Sequence, residues 1–194
     1  ATVVDTPRTF WGDLFGTPTR ERSKRGYIDR DGNVVIAPRF DEALPFSEGV
    51  AWVSLAEGDQ RWGLIDRTGQ FRIEPRFQFG LNQPLPFAEG LCPVWDAGDW
   101  SEDESVKRFA YIDTHGATVI PPRFRGAGSF SEGLAPIVTG GRLGFIDRDG
   151  VLAIPAQFEW GSTNRNSLLL LPAFSEGLAA VRIGGRYGFI DKSG

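Results

Sequence analysis

The block Tyr27-Ile28-Asp29-Arg30-Asp31-Gly32 returns four times along a chain of 194 residues. It comes back as Leu64-Ile65-Asp66-Arg67-Thr68-Gly69, at 111–116 and at 145–150, and it closes the chain as Phe189-Ile190-Asp191-Lys192-Ser193-Gly194. A second block, Ile36-Ala37-Pro38-Arg39-Phe40, recurs at 73–77, 120–124 and 154–158. A third, Phe46-Ser47-Glu48-Gly49, recurs at 87–90, 130–133 and 174–177, each time leading into an apolar run such as Leu178-Ala179-Ala180-Val181. The aspartates step by 37, 47, 34 and 44 residues, so the unit is about 40 residues with loop insertions. A period of that length restricts the chain to a series of small supersecondary units, each of which buries its apolar face against its neighbours.

Each unit reads as three short strands. The first is the apolar run after F-x-E-G, and the second is the apolar run that enters D-x-x-G. The third follows that turn and is expected to stop at the proline, which has no ladder donor. Asp at the turn entry accepts bonds from backbone N–H groups, and Gly at its end takes positive φ. With 25 Gly and 13 Pro the chain is rich in turns and short of long helices. The fold class is therefore all-β, with about five tandem three-stranded meanders. The units run approximately 26–61, 62–108, 109–142, 143–186, and 187–194 completed by 1–25, as one domain over 1–194. This last assignment comes from Ala1-Thr2-Val3-Val4, which matches Ala117-Thr118-Val119-Ile120, so the N-terminus is expected to supply the third strand missing after residue 194. That phase favours closure into a propeller-like ring, with an open β-repeat array as the alternative.

These blocks resemble the WG (KWG) repeat of bacterial proteins. At the place before the I-D block its name-giving dipeptide stands once, at Trp62-Gly63 after Arg61, while Tyr187, Leu143, Phe109 and Arg25 take the Trp place elsewhere and Ala110 once takes the Gly place. The resemblance implies a β-repeat scaffold without catalytic activity, and the departures at Trp argue against a binding site shared by all units.

Charge and composition exclude several classes. A net charge of −4 gives no general affinity for nucleic acid. No apolar run reaches the roughly 20 residues of a helical membrane span. The single Cys92 makes no internal disulfide and leaves the redox compartment open, and no signal peptide is visible, so a bacterial cytoplasmic or exported location both fit. A monomer is expected.

The residues that could carry chemistry point the same way. Glu48, Glu89, Glu132 and Glu176 are equivalent, one per unit, whereas acid–base catalysis needs differently tuned carboxylates side by side. Their simplest role is to accept backbone N–H bonds. Asp29-Arg30-Asp31-Gly32 opens like a calcium loop but lacks the later ligands. His115 is the only histidine and sits in a turn, and Cys92 aligns with Ala51, Ala135 and Ala179 at a small buried position. No catalytic residue, metal ligand or cofactor is expected. Arg8, Arg39, Arg76 and Arg123 occupy one repeated place and are candidate anion contacts, unless each lies over a neighbouring Phe or pairs with a local carboxylate.

What distinguishes the units is their inserted and odd aromatic residues. Trp52 is expected to be partly exposed on strand one. Trp95, Asp99, Trp100, Glu102 and Asp103 belong to an acidic insertion, and Trp160 opens another. These are the candidate ligand or partner contacts, suited to a protein partner or a glycan. The expected function is a non-catalytic scaffold for protein–protein recognition. A carbohydrate or cell-wall binding module, and a structural spacer of a larger protein, are the alternatives.

Overall fold

The computed structural model describes residues 2–5, 24–55, 61–79, 83–95, 108–160 and 171–194, all of them strand, turn or loop. The strands are β1 (Thr2–Asp5), β2 (Arg25–Ile28), β3 (Val34–Phe40), β4 (Glu42–Ala43), β5 (Val50–Ser54), β6 (Trp62–Asp66) and β7 (Phe71–Phe77). They continue with β8 (Leu91–Trp95), β9 (Phe109–Asp113), β10 (Thr118–Phe124), β11 (Gly126–Ala127), β12 (Ala135–Thr139), β13 (Arg142–Ile146), β14 (Leu152–Glu159), β15 (Ala179–Ile183) and β16 (Arg186–Ile190). Two compact parts divide the chain, Ala1–Gln78 and Phe79–Gly194. The first holds the sheets β1-β2-β3 and β4-β5-β6-β7; the second holds β8-β9-β10, β11-β12-β13-β14 and β15-β16. Every pairing is antiparallel, so the repeated meander stands, but two sheets carry a fourth, two-residue strand, β4 and β11, that the three-strand unit did not include.

The third strand does not stop at its proline. It runs on to the phenylalanine, because the proline lies in an irregular stretch where no ladder donor is called for. In β2–β3, Tyr27 faces Ile36 and Arg25 faces Phe40, so four steps on one strand answer two on the other. The same offset separates Leu64↔Ile73 from Trp62↔Phe77, Tyr111↔Ile120 from Phe109↔Phe124, and Phe145↔Ile154 from Leu143↔Phe158. The bulged backbone crosses directly over the residue after the Trp place. A Cβ on Gly63 would stand 2.6 Å from the Ile73 carbonyl oxygen and 2.9 Å from the Pro75 nitrogen, and one on Gly144 would stand 2.8 Å from the Ala156 Cα. This close approach is why glycine recurs there.

Ile and Phe, four residues apart, lie on one face of strand three, and the bulge sets them opposite strand-two residues only two apart. In the first part, Tyr27, Ile36 and Phe40 pack against Ala43, Ala51, Val53 and Ile65 of the following sheet. In the second, Tyr111, Ile120 and Phe124 meet Phe130, Ala135 and Ile137, and Phe145, Ile154 and Phe158 meet Phe174, Ala179 and Val181. In three units the strand-two aromatic packs on the Phe of the next F-x-E-G block, with centroids 4.8, 5.2 and 5.0 Å apart for Tyr27–Phe46, Tyr111–Phe130 and Phe145–Phe174. Where that aromatic is tyrosine its hydroxyl donates to a backbone carbonyl, Leu44 O at 2.9 Å from Tyr27 and Gly128 O at 2.8 Å from Tyr111. Burial pushes both phenols above their ordinary range, helped at Tyr111 by the neighbouring Cys92.

The N-terminal strand is placed differently from expectation. Thr2–Asp5 pairs with β2, in the register Thr2↔Ile28 to Asp5↔Arg25. It therefore fills the strand-one place of the first sheet instead of adding a third strand beside β16. The short apolar pattern Thr-Val-Val fits either place, and β2 offers it an antiparallel edge. Among the described residues β15 and β16 form a two-stranded sheet.

The crossing makes a direct test. Gly144→Val forces β14 off its register and should cost more than about 2 kcal/mol, lowering the thermal midpoint by roughly 4–8 °C. At Gly188, the equivalent place in β16, a Cβ meets nothing within 4 Å. Gly188→Val should therefore leave the midpoint within about one degree, and equal losses at the two sites would refute the explanation.

Candidate interaction surface

The five D-x-x-G turns are built on the aspartate. Asp29 Oδ1 accepts from the backbone N–H of Asp31 at 2.9 Å and of Asn33 at 2.8 Å. Asp66, Asp113 and Asp147 repeat both bonds, and Asp191 repeats the first at 2.9 Å. Each turn glycine has positive φ, from 80° at Gly150 to 98° at Gly194. The Asn33 side chain, the Thr68 hydroxyl and the Ser193 hydroxyl are the largest influences holding the Asp29, Asp66 and Asp191 carboxyls below their usual value of 3.8. The carboxylates serve the turn, as its sequence suggested.

The four F-x-E-G glutamates are more unusual. In Ser47-Glu48-Gly49-Val50 the Ser47 and Val50 backbones exchange hydrogen bonds at 2.9 and 3.0 Å, closing a two-residue hairpin. Both central residues have positive φ, 49° at Glu48 and 87° at Gly49, and the other three blocks repeat this with Glu89, Glu132 and Glu176 at 53–54°. Asn or Asp is the usual choice there, because left-handed backbone costs an ordinary residue about 1–2 kcal/mol. The reason for Glu lies one block further along. The Glu89 carboxylate accepts from the Gly133 N–H at 3.1 and 3.2 Å, and Glu132 accepts from the Gly177 N–H at 3.1 and 3.4 Å. The longer side chain spans the gap between consecutive sheets. Lys192, 3.1 Å from Glu132, is the first cause of that carboxyl's lowered pKa, and the Gly177 N–H adds to it.

The repeated arginines are held rather than gathered. The guanidinium groups of Arg39, Arg76 and Arg123 lie over Phe40, Phe77 and Phe124 at 5.0, 4.9 and 5.0 Å. Arg39 also donates to the Gly69 carbonyl and Arg123 to the Gly150 carbonyl, the turn glycines of the following D-x-x-G blocks. All three cations thus rest on a ring, and those of Arg39 and Arg123 also bond a backbone oxygen. Arg8 lies outside the described residues.

The candidate aromatic contacts separate. Trp52 is 2% exposed, with its ring 5.5 Å from Phe77. The expected partial exposure is wrong because β5 is buried along its whole length and so on both faces. Trp95 is half-buried at the end of β8, edge-on to Phe109 at 5.6 Å. Trp160, also half-buried, packs on the cluster around Phe158 and Phe174. Asp99, Trp100, Glu102 and Asp103 lie outside the described residues. Cys92 is fully buried with its thiol 3.2 Å from the Leu85 carbonyl, and His115 is exposed in its turn. Among the described residues no three His, Cys, Asp or Glu side chains are grouped to hold a metal ion.

Two measurements follow. Glu89→Asn keeps a residue that tolerates left-handed backbone but loses the bond to Gly133, so it should cost about 1–2 kcal/mol. Glu176→Asn should be neutral or stabilising, since its carboxylate has no partner among the described residues; a gain at both sites would show that the reach is worthless. The turn aspartates set the acid limb. For Asp29, Asp66 and Asp191 the folded pKa lies below the unfolded one, so their stabilisation is fully present above about pH 5 and is lost as pH falls through the depressed values. The thermal midpoint should be level from pH 7 to about 5 and fall below about pH 4, less steeply in Asp66→Asn, and a midpoint constant to about pH 2.5 would contradict this.

The family of the WG containing repeat matches residues 26–57, 62–94, 109–142, 144–170 and 171–187. None of the curated proteins matches the chain. The five matches follow the D-x-x-G turns, crossing glycines and F-x-E-G hairpins in order and span well over half of the 194 residues, so the chain belongs to the WG containing repeat family.

Proposed function

We propose that this chain is a non-catalytic interaction scaffold whose task is protein–protein recognition. One observation carries the proposal. The recurring Asp side chains, together with the Glu89, Glu132, Arg39 and Arg123 side chains, direct their polar atoms to backbone groups of this same chain. Residues with chemistry to offer are thereby committed to architecture, and what varies from one repeat to the next is left to recognise a partner. Such a scaffold binds through exposed faces and inserted loops whether its sheets close into a propeller-like ring or continue as an open array. Carbohydrate recognition is the second reading, favoured by the half-buried indoles of Trp95 and Trp160 at the edges of two insertions.

Trp95 and Phe109 face each other in register, so a tight loop of residues 105–108 can still join β8 to β9. A variant lacking residues 96–104 should therefore fold. Immobilised wild-type and deleted proteins would be compared for the polypeptides they retain from source-cell lysate. A species held by the wild type and lost on deletion is the expected result. Saturable quenching of Trp fluorescence by a glycan would favour the carbohydrate reading instead, and neither effect would leave a structural spacer.

A further inference from the structure

At the end of the sheets where strand one turns into strand two, the two compact parts carry different charges. In the first part the residues after Phe40 are Asp41 and Glu42, and both are answered. Asp41 pairs with Lys24 at 2.6 Å and Glu42 with Arg25 at 2.7 Å. In the second part the residues after Phe124 are Arg125 and Gly126. A cation thus stands where the other repeats have Asp41, Gln78 or Glu159, and the carboxylate beside it is gone. Arg125 is exposed, and its guanidinium has no partner among the described residues. Its backbone is fixed, because its N–H donates to the Val138 carbonyl at 2.9 Å where β10 passes into β11.

Register places a second arginine near it. Gly126 faces Val138 and Thr139 faces Arg142, so Arg125, Thr139 and Arg142 follow one another across β11, β12 and β13. Directly opposed residues share a face of the sheet, and two strand spacings set the arginines about 10 Å apart at Cα. The two-residue turn of Gly140 and Gly141, at φ 57° and 75°, ties β12 to β13 at this end. Arg142 is exposed and gives one N–H to the Gln157 carbonyl at 3.0 Å, a neutral acceptor that leaves its charge unanswered. Glu159, opposite Arg142, is drawn to the following sheet, where it accepts from the Gly185 N–H at 3.2 Å and lies 3.5 Å from Arg182 Nε. The same row in the first part reads Asp41, Leu55, Arg61 and Gln78, one acid and one base.

We propose that Arg125, Thr139 and Arg142 form a docking row for an acidic segment of a partner polypeptide. An extended segment sets the carboxylates of alternate residues about 7 Å apart on one side, within reach of both long guanidinium side chains. The Thr139 hydroxyl between them can donate to either carboxylate. Arginine binds a carboxylate through paired N–H groups, which supplies direction as well as charge. Nucleic acid fits less well, because the net charge of −4 repels a polyanion and the row answers few phosphates. The proposal rests on the interaction-scaffold reading and names a surface for it that does not include residues 96–104.

The probe is a fluorescein-labelled peptide, Ser-Glu-Ser-Glu-Ser-Glu, with Ser-Gln-Ser-Gln-Ser-Gln as control. Titration with the intact chain at low salt should give a saturable rise in anisotropy for the probe and none for the control, and added salt should weaken it. Arg125→Asp installs the residue that the first part carries at this place. Its melting curve should therefore match the wild type while binding weakens about tenfold, and Arg142→Gln should weaken binding as well. Absence of saturable binding, or binding unchanged in Arg125→Asp, would overturn the proposal. Tighter binding of single-stranded oligothymidylate would assign the row to nucleic acid, and binding seen only after deletion of residues 96–104 would assign it to the chain's own acidic insertion. Either result would overturn the partner-segment reading. A lysate that yields no retained polypeptide, while the peptide still binds through Arg125, would count against the insertion and not against this row, so the two can fail separately.

Discussion

Everything in this fold depends on one backbone crossing. The third strand must carry an isoleucine and a phenylalanine to the same face while passing a proline that cannot take part in the ladder. The spacing of four gives the shared face, and the strand passes its proline by bulging across the second strand at the residue after the Trp place, where Gly26, Gly63 and Gly144 leave room. A side chain larger than a methyl group there would lift the strand and separate the pair of apolar residues that meets the next sheet. Ala110, 4% exposed at the equivalent place in β9, is the largest residue found under a crossing. The glycine of the repeat thus has a steric explanation that needs no ligand, and the aromatic before it is free to be Trp, Tyr, Phe, Leu or Arg.

Polar side chains solve a second problem, holding one sheet to the next without long strands or helices. Apolar contact between sheets is non-directional, so it fixes neither tilt nor spacing. The arginine on its phenylalanine and the left-handed glutamate do, because each bonds one backbone group on the neighbouring sheet. Those bonds are partly exposed, which keeps each modest, but they recur along the chain. The conformational cost of Glu at positive φ is offset by a contact that the shorter Asn could not make.

Much of this was legible in the sequence. The recurrence of I-D-x-x-G, P-R-F and F-x-E-G located every strand two, every turn and the pairing order, because local chemistry decides them. Asp29 and its equivalents do what an aspartate before a turn glycine should do. Besides the end of strand three, other features were not legible, for separate physical reasons. Thr2–Asp5 carries a pattern common to first and third strands, and only the partner it meets decides which it becomes. Trp52 was judged by alternation, which fails for a strand buried on both faces. The reach of Glu89 to Gly133 joins residues 44 apart and leaves no local trace, apart from the oddity of glutamate where asparagine is usual. The acidic insertion at 96–107 has no repeat to set it against, and its recognition chemistry stays a proposal.

The arginine and glutamate contacts share a direction. Arg39 reaches forward to Gly69, Arg123 to Gly150, Glu89 to Gly133 and Glu132 to Gly177, each from an earlier block to a later one. Within each compact part the array therefore has a polarity, like a row of hooks all facing the same way. A repeat is clasped by its predecessor and clasps its successor, so the two ends of such a row are chemically different surfaces. An array built in this way can be lengthened by identical parts in one orientation only.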